Sequence, residues 1–117
     1  MQSILQAHPD INGVISGNDE MALGAIAALK EAGKLKQVTV GGFDGSPDAV
    51  NAILDGEMAY TVLQPVAIFS AKAVDEADNY IRTGKTGAAT EKQLFDCYLI
   101  TKDNVKYYTS PFVLSKY

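Results

Sequence analysis

Short apolar steps alternate with longer stretches of helical periodicity along most of this chain. Ile4, Leu5 and Ala7 read as the last apolar positions of a helix stopped by His8-Pro9-Asp10, so the chain is expected to open part-way through an element. Val14 and Ile15, after Asn12-Gly13, predict a short strand buried on both faces of a parallel sheet. Gly17-Asn18-Asp19-Glu20 ends that strand and begins a helix, with Asn18 or Asp19 as its N-cap. Ala22, Ala25, Ile26 and Leu29 form the helix's buried face, and Gly33 ends it. A second strand spans about Val38 to Phe43 and turns at once into a helix begun by Ser46 and Pro47. That helix buries Val50, Ile53 and Leu54 and stops at Asp55-Gly56.

Alternation from Ala59 to Gln64 predicts a third strand. Pro65 then sits in the first turn of the longest helix, which runs to about Thr83 with Ala73, Val74, Ala77, Tyr80 and Ile81 at helical spacing and Gly84 as its stop. Lys85 to Lys92 is turn-like, Leu94 to Thr101 contains a strand, and Val105 to Tyr108 reads as another. Phe112, Val113 and Leu114 in the tail need a surface to pack against. Strand and helix alternating three times predict an α/β fold, a doubly wound and mainly parallel sheet with helices on both faces.

Composition narrows the function. With 117 residues and 47% hydrophobic content, the chain is long enough for one domain with one core over 1–117, and a second domain is not expected. A net charge of −4 with no basic block argues against nucleic acid or anionic membrane as partner. Cys97 is the only cysteine and His8 the only histidine, so zinc sites lack ligands and an intrachain disulfide is impossible. No apolar run approaches the ~20 residues of a membrane span. The opening Met1-Gln2-Ser3-Ile4-Leu5-Gln6 lacks the basic and apolar regions of a secretory signal.

Three polar residues fall just past three successive strands: Asn18, Asp44 and Gln64. In an open parallel sheet ligands bind in the crevice beyond the carboxyl ends of the strands. An ionised Asp44 accepts charge-assisted hydrogen bonds from two neighbouring hydroxyls and repels phosphate. Two amides beside it add donors and acceptors, but no nucleophile, proton shuttle or metal cage, so the expectation is a binding protein without cofactor and not an enzyme. Each residue also has a plain structural reading: Asp44-Gly45 as turn chemistry, Asn18 as a helix cap and Gln64 as a polar residue before Pro65. Met21 and Phe43 are expected in the core, and Asp75, Glu76 and Asp78 on a solvated helix face. No GxGxxG or GxxxxGK[ST] supports nucleotide binding.

His8-Pro9-Asp10-Ile11, the segment Gly17 to Ala25, Val40-Gly41-Gly42-Phe43-Asp44-Gly45, and Ala59 to Pro65 together resemble the carboxyl-terminal half of periplasmic sugar-binding proteins of the ribose-binding type, which serve bacterial ABC importers. Ile100-Thr101-Lys102-Asp103-Asn104-Val105 resembles their closing segment. The resemblance implies a two-lobed protein that closes over a monosaccharide or sugar alcohol, with Asn18, Asp44 and Gln64 as ligand contacts of the second lobe. It implies a periplasmic location and importer membrane subunits as partners of the full-length parent. It also implies that the first lobe and the opening elements of the second are absent here. A chain so truncated is expected to bind sugar weakly or not at all and to self-associate through exposed sheet edge. The runner-up is the effector-binding core of a lactose-repressor-type regulator. Gly45 after Asp44, and a Lys34 to Gln37 segment without proline, favour the transport protein.

Overall fold

The computed structural model describes residues 1–109. The tail from Ser110, with Phe112, Val113 and Leu114, lies outside them. The described residues divide into two compact units, one built from Met1–Leu63 with residues 99–109, the other from Gln64–Tyr98.

In the first unit, helix α1 (Gln2–Ala7) leads to strand β1 (Gly13–Ile15), helix α2 (Asp19–Glu31), strand β2 (Thr39–Gly41), helix α3 (Pro47–Leu54) and strand β3 (Tyr60–Leu63). Strand β4 (Tyr98–Thr101) completes a four-stranded sheet of order β1-β2-β3-β4. The first two pairings are parallel, with Val14 beside Val40 and Gly41 beside Tyr60. Strand and helix alternate as the periodicity predicts.

Local chemistry sets the boundaries. The Asn18 side chain caps α2, and Ser46 caps α3 with its hydroxyl accepting from the Ala49 N–H at 3.2 Å. Pro47 opens α3 where its missing N–H costs nothing. Gly33 and Gly56 follow α2 and α3 in the left-handed region.

One core serves this unit. Leu5, Ala22, Ile26, Leu29, Val38, Val40, Val50, Ile53, Met58, Ile100 and Val105 pack together on the sheet face that carries Val14 and Val40. The predicted α2 face is therefore buried throughout. Leu54, expected beside Ile53, is instead exposed, because the helical step turns it off the stripe that meets α2 and the sheet. Ile15 also departs from expectation, at 86% exposed. Successive strand residues face opposite ways, so the helices that cover Val14 leave Ile15 on the other face, where Leu99 and Thr39 are exposed too. Val105–Tyr107 is a 3-10 turn and not a strand. Asn104 explains it: its side chain accepts from the Thr101 N–H at 2.8 Å and donates to the Leu99 carbonyl at 2.9 Å, folding the chain back after β4.

The second unit is built on helix α4 (Val66–Thr83), which ends at Gly84 with φ of 73° and the Gly84 N–H donating to the Tyr80 carbonyl. None of its residues is buried. Its contacts within the unit run from Phe69 to Phe95, ring centroids 5.9 Å apart, and from the Gln93 amide to Glu76 Oε1 at 2.7 Å. Asp78 binds Arg82 one turn on, and Asp75 is exposed, as a solvated face requires, whereas Glu76 is half-buried where it bonds Gln93. Among the described residues, no helix is long and apolar enough to cross a membrane.

Candidate ligand-binding site

Asn18 and Asp44 occupy equivalent places in the first unit, each three residues beyond the end of its strand, β1 and β2. Gln64 follows β3 directly and opens the second unit, half-buried, its carbonyl accepting from the Val66 N–H.

Asn18 divides its side chain between two uses. Its Oδ1 accepts from the Met21 N–H at 2.9 Å, which is the cap of α2. That leaves two N–H groups of the Nδ2 amide on a half-buried side chain, donors with no partner among the described residues.

Asp44 has the most unusual backbone described. Its φ is 124°, the only positive value on a residue other than glycine among the described residues, well beyond the left-handed helical well at roughly +57°. Such a conformation costs on the order of 1–3 kcal/mol and persists only where its surroundings impose it. Part of that imposition is visible. The Gly42 and Asp44 N–H groups donate to the Tyr60 and Val62 carbonyls, each at 2.9 Å, so pairing with β3 runs past the end of β2 and includes an isolated bridge from Asp44 to Leu63. Gly45, at φ of 79°, then passes so close to β3 that a Cβ there would lie 2.7 Å from the Leu63 Cα.

Asp19 supplies the rest, and sequence reasoning assigned it only to the start of α2. It is fully buried, as is Thr61. The Ser46 N–H donates to Asp19 Oδ2 at 2.7 Å, and the Thr61 hydroxyl donates to Oδ1 at 2.6 Å. The same hydroxyl accepts from the Gly45 N–H at 3.1 Å. One carboxylate thus ties the loop after β1 to the loop after β2 and to β3. Gly42 makes room for it, since a Cβ there would fall 2.2 Å from Oδ1. Two signals in the sequence could have pointed to this: two capping residues in succession, Asn18 and Asp19, where one suffices, and two consecutive glycines ending a buried strand.

Met21 and Phe43 are not core residues. Met21 is 61% exposed, one turn into α2 from Asn18, and Phe43 is 36% exposed beside Asp44. The helical and strand faces that hold Ala22 and Val40 inside turn these neighbours outward. They give the loops apolar surface next to the polar groups. His8 is exposed at the end of α1, and Cys97 is exposed.

Residues 1–86 match the model of the periplasmic binding protein domain. The chain is 56% identical over 104 residues to a D-apiose import binding protein of Paraburkholderia graminis, covering 89% of this chain and 33% of that protein. It is 45% identical over 102 residues to the ribose import binding protein RbsB of Escherichia coli, covering 87% of this chain and 33% of that protein. The chain thus spans about a third of the length of these relatives. Among solved structures, an ABC transporter solute binding protein from Bacillus halodurans with bound myo-inositol superposes with a TM-score of 0.81 at 35% identity, covering 92% of this chain and 36% of that one.

Proposed function

The chain belongs to the periplasmic binding protein domain family, and from that premise we propose that it is part of the sugar-binding lobe of the solute-binding component of a bacterial ABC importer. The ligand is a monosaccharide or sugar alcohol, held without covalent chemistry. Asp44 accepts hydrogen bonds from two adjacent hydroxyls and Asn18 donates through Nδ2; Gln64, which opens the second unit, is proposed as a ligand contact in its own right. The observation that carries this reading is the positive φ of Asp44 at the carboxyl end of a parallel strand. A strained polar residue, held in place from three elements, is what a preorganised contact requires. The names of the relatives agree in chemical class: apiose, ribose and myo-inositol are neutral polyhydroxy compounds. They also favour transport over the regulator reading. In the full-length protein the partners are the importer's membrane subunits and the compartment is the periplasm.

Half a cleft leaves hydroxyl contacts in competition with water, so this chain alone is expected to bind weakly or not at all. The test is an NMR titration of the chain with D-ribose, D-apiose and myo-inositol, with Asp44→Ala as control. Millimolar saturable shifts at the Asn18 and Asp44 amides, lost in the variant, support the reading. Shifts that persist unchanged in Asp44→Ala, or a preference for a sugar phosphate, overturn it.

We infer in addition that the chain self-associates through β1, one of the two outer strands of the sheet among the described residues. A parallel edge turns the N–H and C=O of alternate residues outward, and here Ile15 adds an exposed apolar side chain.

A further inference from the structure

We propose that Asp19 is the positioning residue of this site: its buried carboxylate, bonded to Ser46 and Thr61, holds the 42–46 loop so that Asp44 keeps its ligand-binding conformation. The proposal rests on the reading of Asp44 as a ligand contact and deepens it.

The geometry favours this role over a general stabilising one. Asp19 carries a carboxylate with no exposure and no cationic partner among the described residues. Burying an anion is costly, and an apolar side chain of similar size would fill the same space without that cost. The side-chain bonds go where a ligand loop needs them. One oxygen takes the Ser46 N–H at 2.7 Å, immediately after the Asp44-Gly45 step. The other takes the Thr61 hydroxyl at 2.6 Å, which in turn takes the Gly45 N–H at 3.1 Å. The two peptide N–H groups that follow Asp44 are therefore both fixed by this pair. Asp19 takes the single proton of Thr61, which fixes the rotation of that hydroxyl and keeps a lone pair turned toward Gly45. Gly42 completes the arrangement by leaving the carboxylate space against the strand. Asp19 also stands at the first turn of α2, where the helix dipole favours a negative charge.

The experiment compares amide hydrogen exchange by NMR in the whole chain for the native protein, Asp19→Asn, Thr61→Val and Thr61→Ser. It also measures the three-bond HN–Hα coupling of Asp44, which reports φ. In Asp19→Asn the Gly45 and Ser46 amides exchange about tenfold or more faster relative to the Val40 and Ile53 amides, and the Asp44 coupling moves away from its native value. Thr61→Val reproduces this, and Thr61→Ser, which keeps the hydroxyl, restores it. If Asp19→Asn does not fold, the Thr61 pair decides the question by the same two readouts. Loss of protection by the same factor at Gly45, Ser46, Val40 and Ile53 means a merely structural role and overturns the proposal, as does an unchanged Asp44 coupling. Titration with D-ribose accompanies each variant. Sugar shifts that persist unchanged in Asp44→Ala count against the proposed function of the chain, while the exchange and coupling data decide the role of Asp19 whether or not the chain takes sugar.

Discussion

On the proposed reading of the site, Asp44 sets function against stability within one residue. Its φ of 124° suits glycine, so Asp44→Gly is expected to leave the protein as stable as before or up to about 1 kcal/mol more stable. The same change removes the carboxylate and with it the sugar response. Chemical denaturation paired with the NMR titration checks both halves, and a loss of stability would show that the aspartate side chain supports its own backbone. Gly42→Ala tests the neighbouring claim. The new Cβ meets Asp19 Oδ1 at 2.2 Å, so the carboxylate must leave its place, at a cost of about 2 kcal/mol or more. A neutral result in a melt would mean the loop has slack that the short contact conceals. Asn18 permits a cleaner separation. Asn18→Ala loses the α2 cap at about 1 kcal/mol, whereas Asn18→Asp keeps the cap and exchanges the Nδ2 donor for a charged acceptor oxygen. Sugar shifts absent from both variants, with stability reduced only in the first, is the expected pattern.

At the scale of elements, the sequence was most legible where punctuation and periodicity agree. Ser46-Pro47 opens α3, Gly33, Gly56 and Gly84 close three helices, and Ala22, Ala25, Ile26 and Leu29 are all buried as their spacing demands. The placement of Asn18 and Asp44 past strand ends was legible for the same reason. What was not legible depends on partners far along the chain. Asp19 looks like any acidic first-turn residue until Ser46 and Thr61 are beside it. Ile15 looks like a core residue because strand pattern gives no account of which face the helices cover. The turn at Val105 reads as a strand until the Asn104 side chain is seen to fold it back. Helix α3 offers an energetic check on the core. Ile53 is completely buried, and Ile53→Ala is expected to cost 2–5 kcal/mol of unfolding free energy in urea. Leu54→Ala, exposed one residue later, is expected to cost well under 1 kcal/mol. Equal effects would mean that the stripe has been assigned to the wrong side.

For the molecule as a whole, the outer edge of β1 predicts concentration-dependent association. Sedimentation velocity over a wide concentration range should show dimers or larger species, and Ile15→Lys should shift them toward monomer. A single monomeric species throughout would remove the edge from consideration. The Asp19 bonds carry a different message, about time. They span 27 residues to Ser46 and 42 to Thr61, so the 42–46 loop is expected to gain its shape only after both crossovers have been made and β3 has docked. A growing or refolding chain that has completed α2 and β2 but not β3 has the sequence of the site without its form. The loop is thus a late product of folding, and the arrival of Ser46 amide protection in a pulse-labelled refolding experiment should mark the end of assembly.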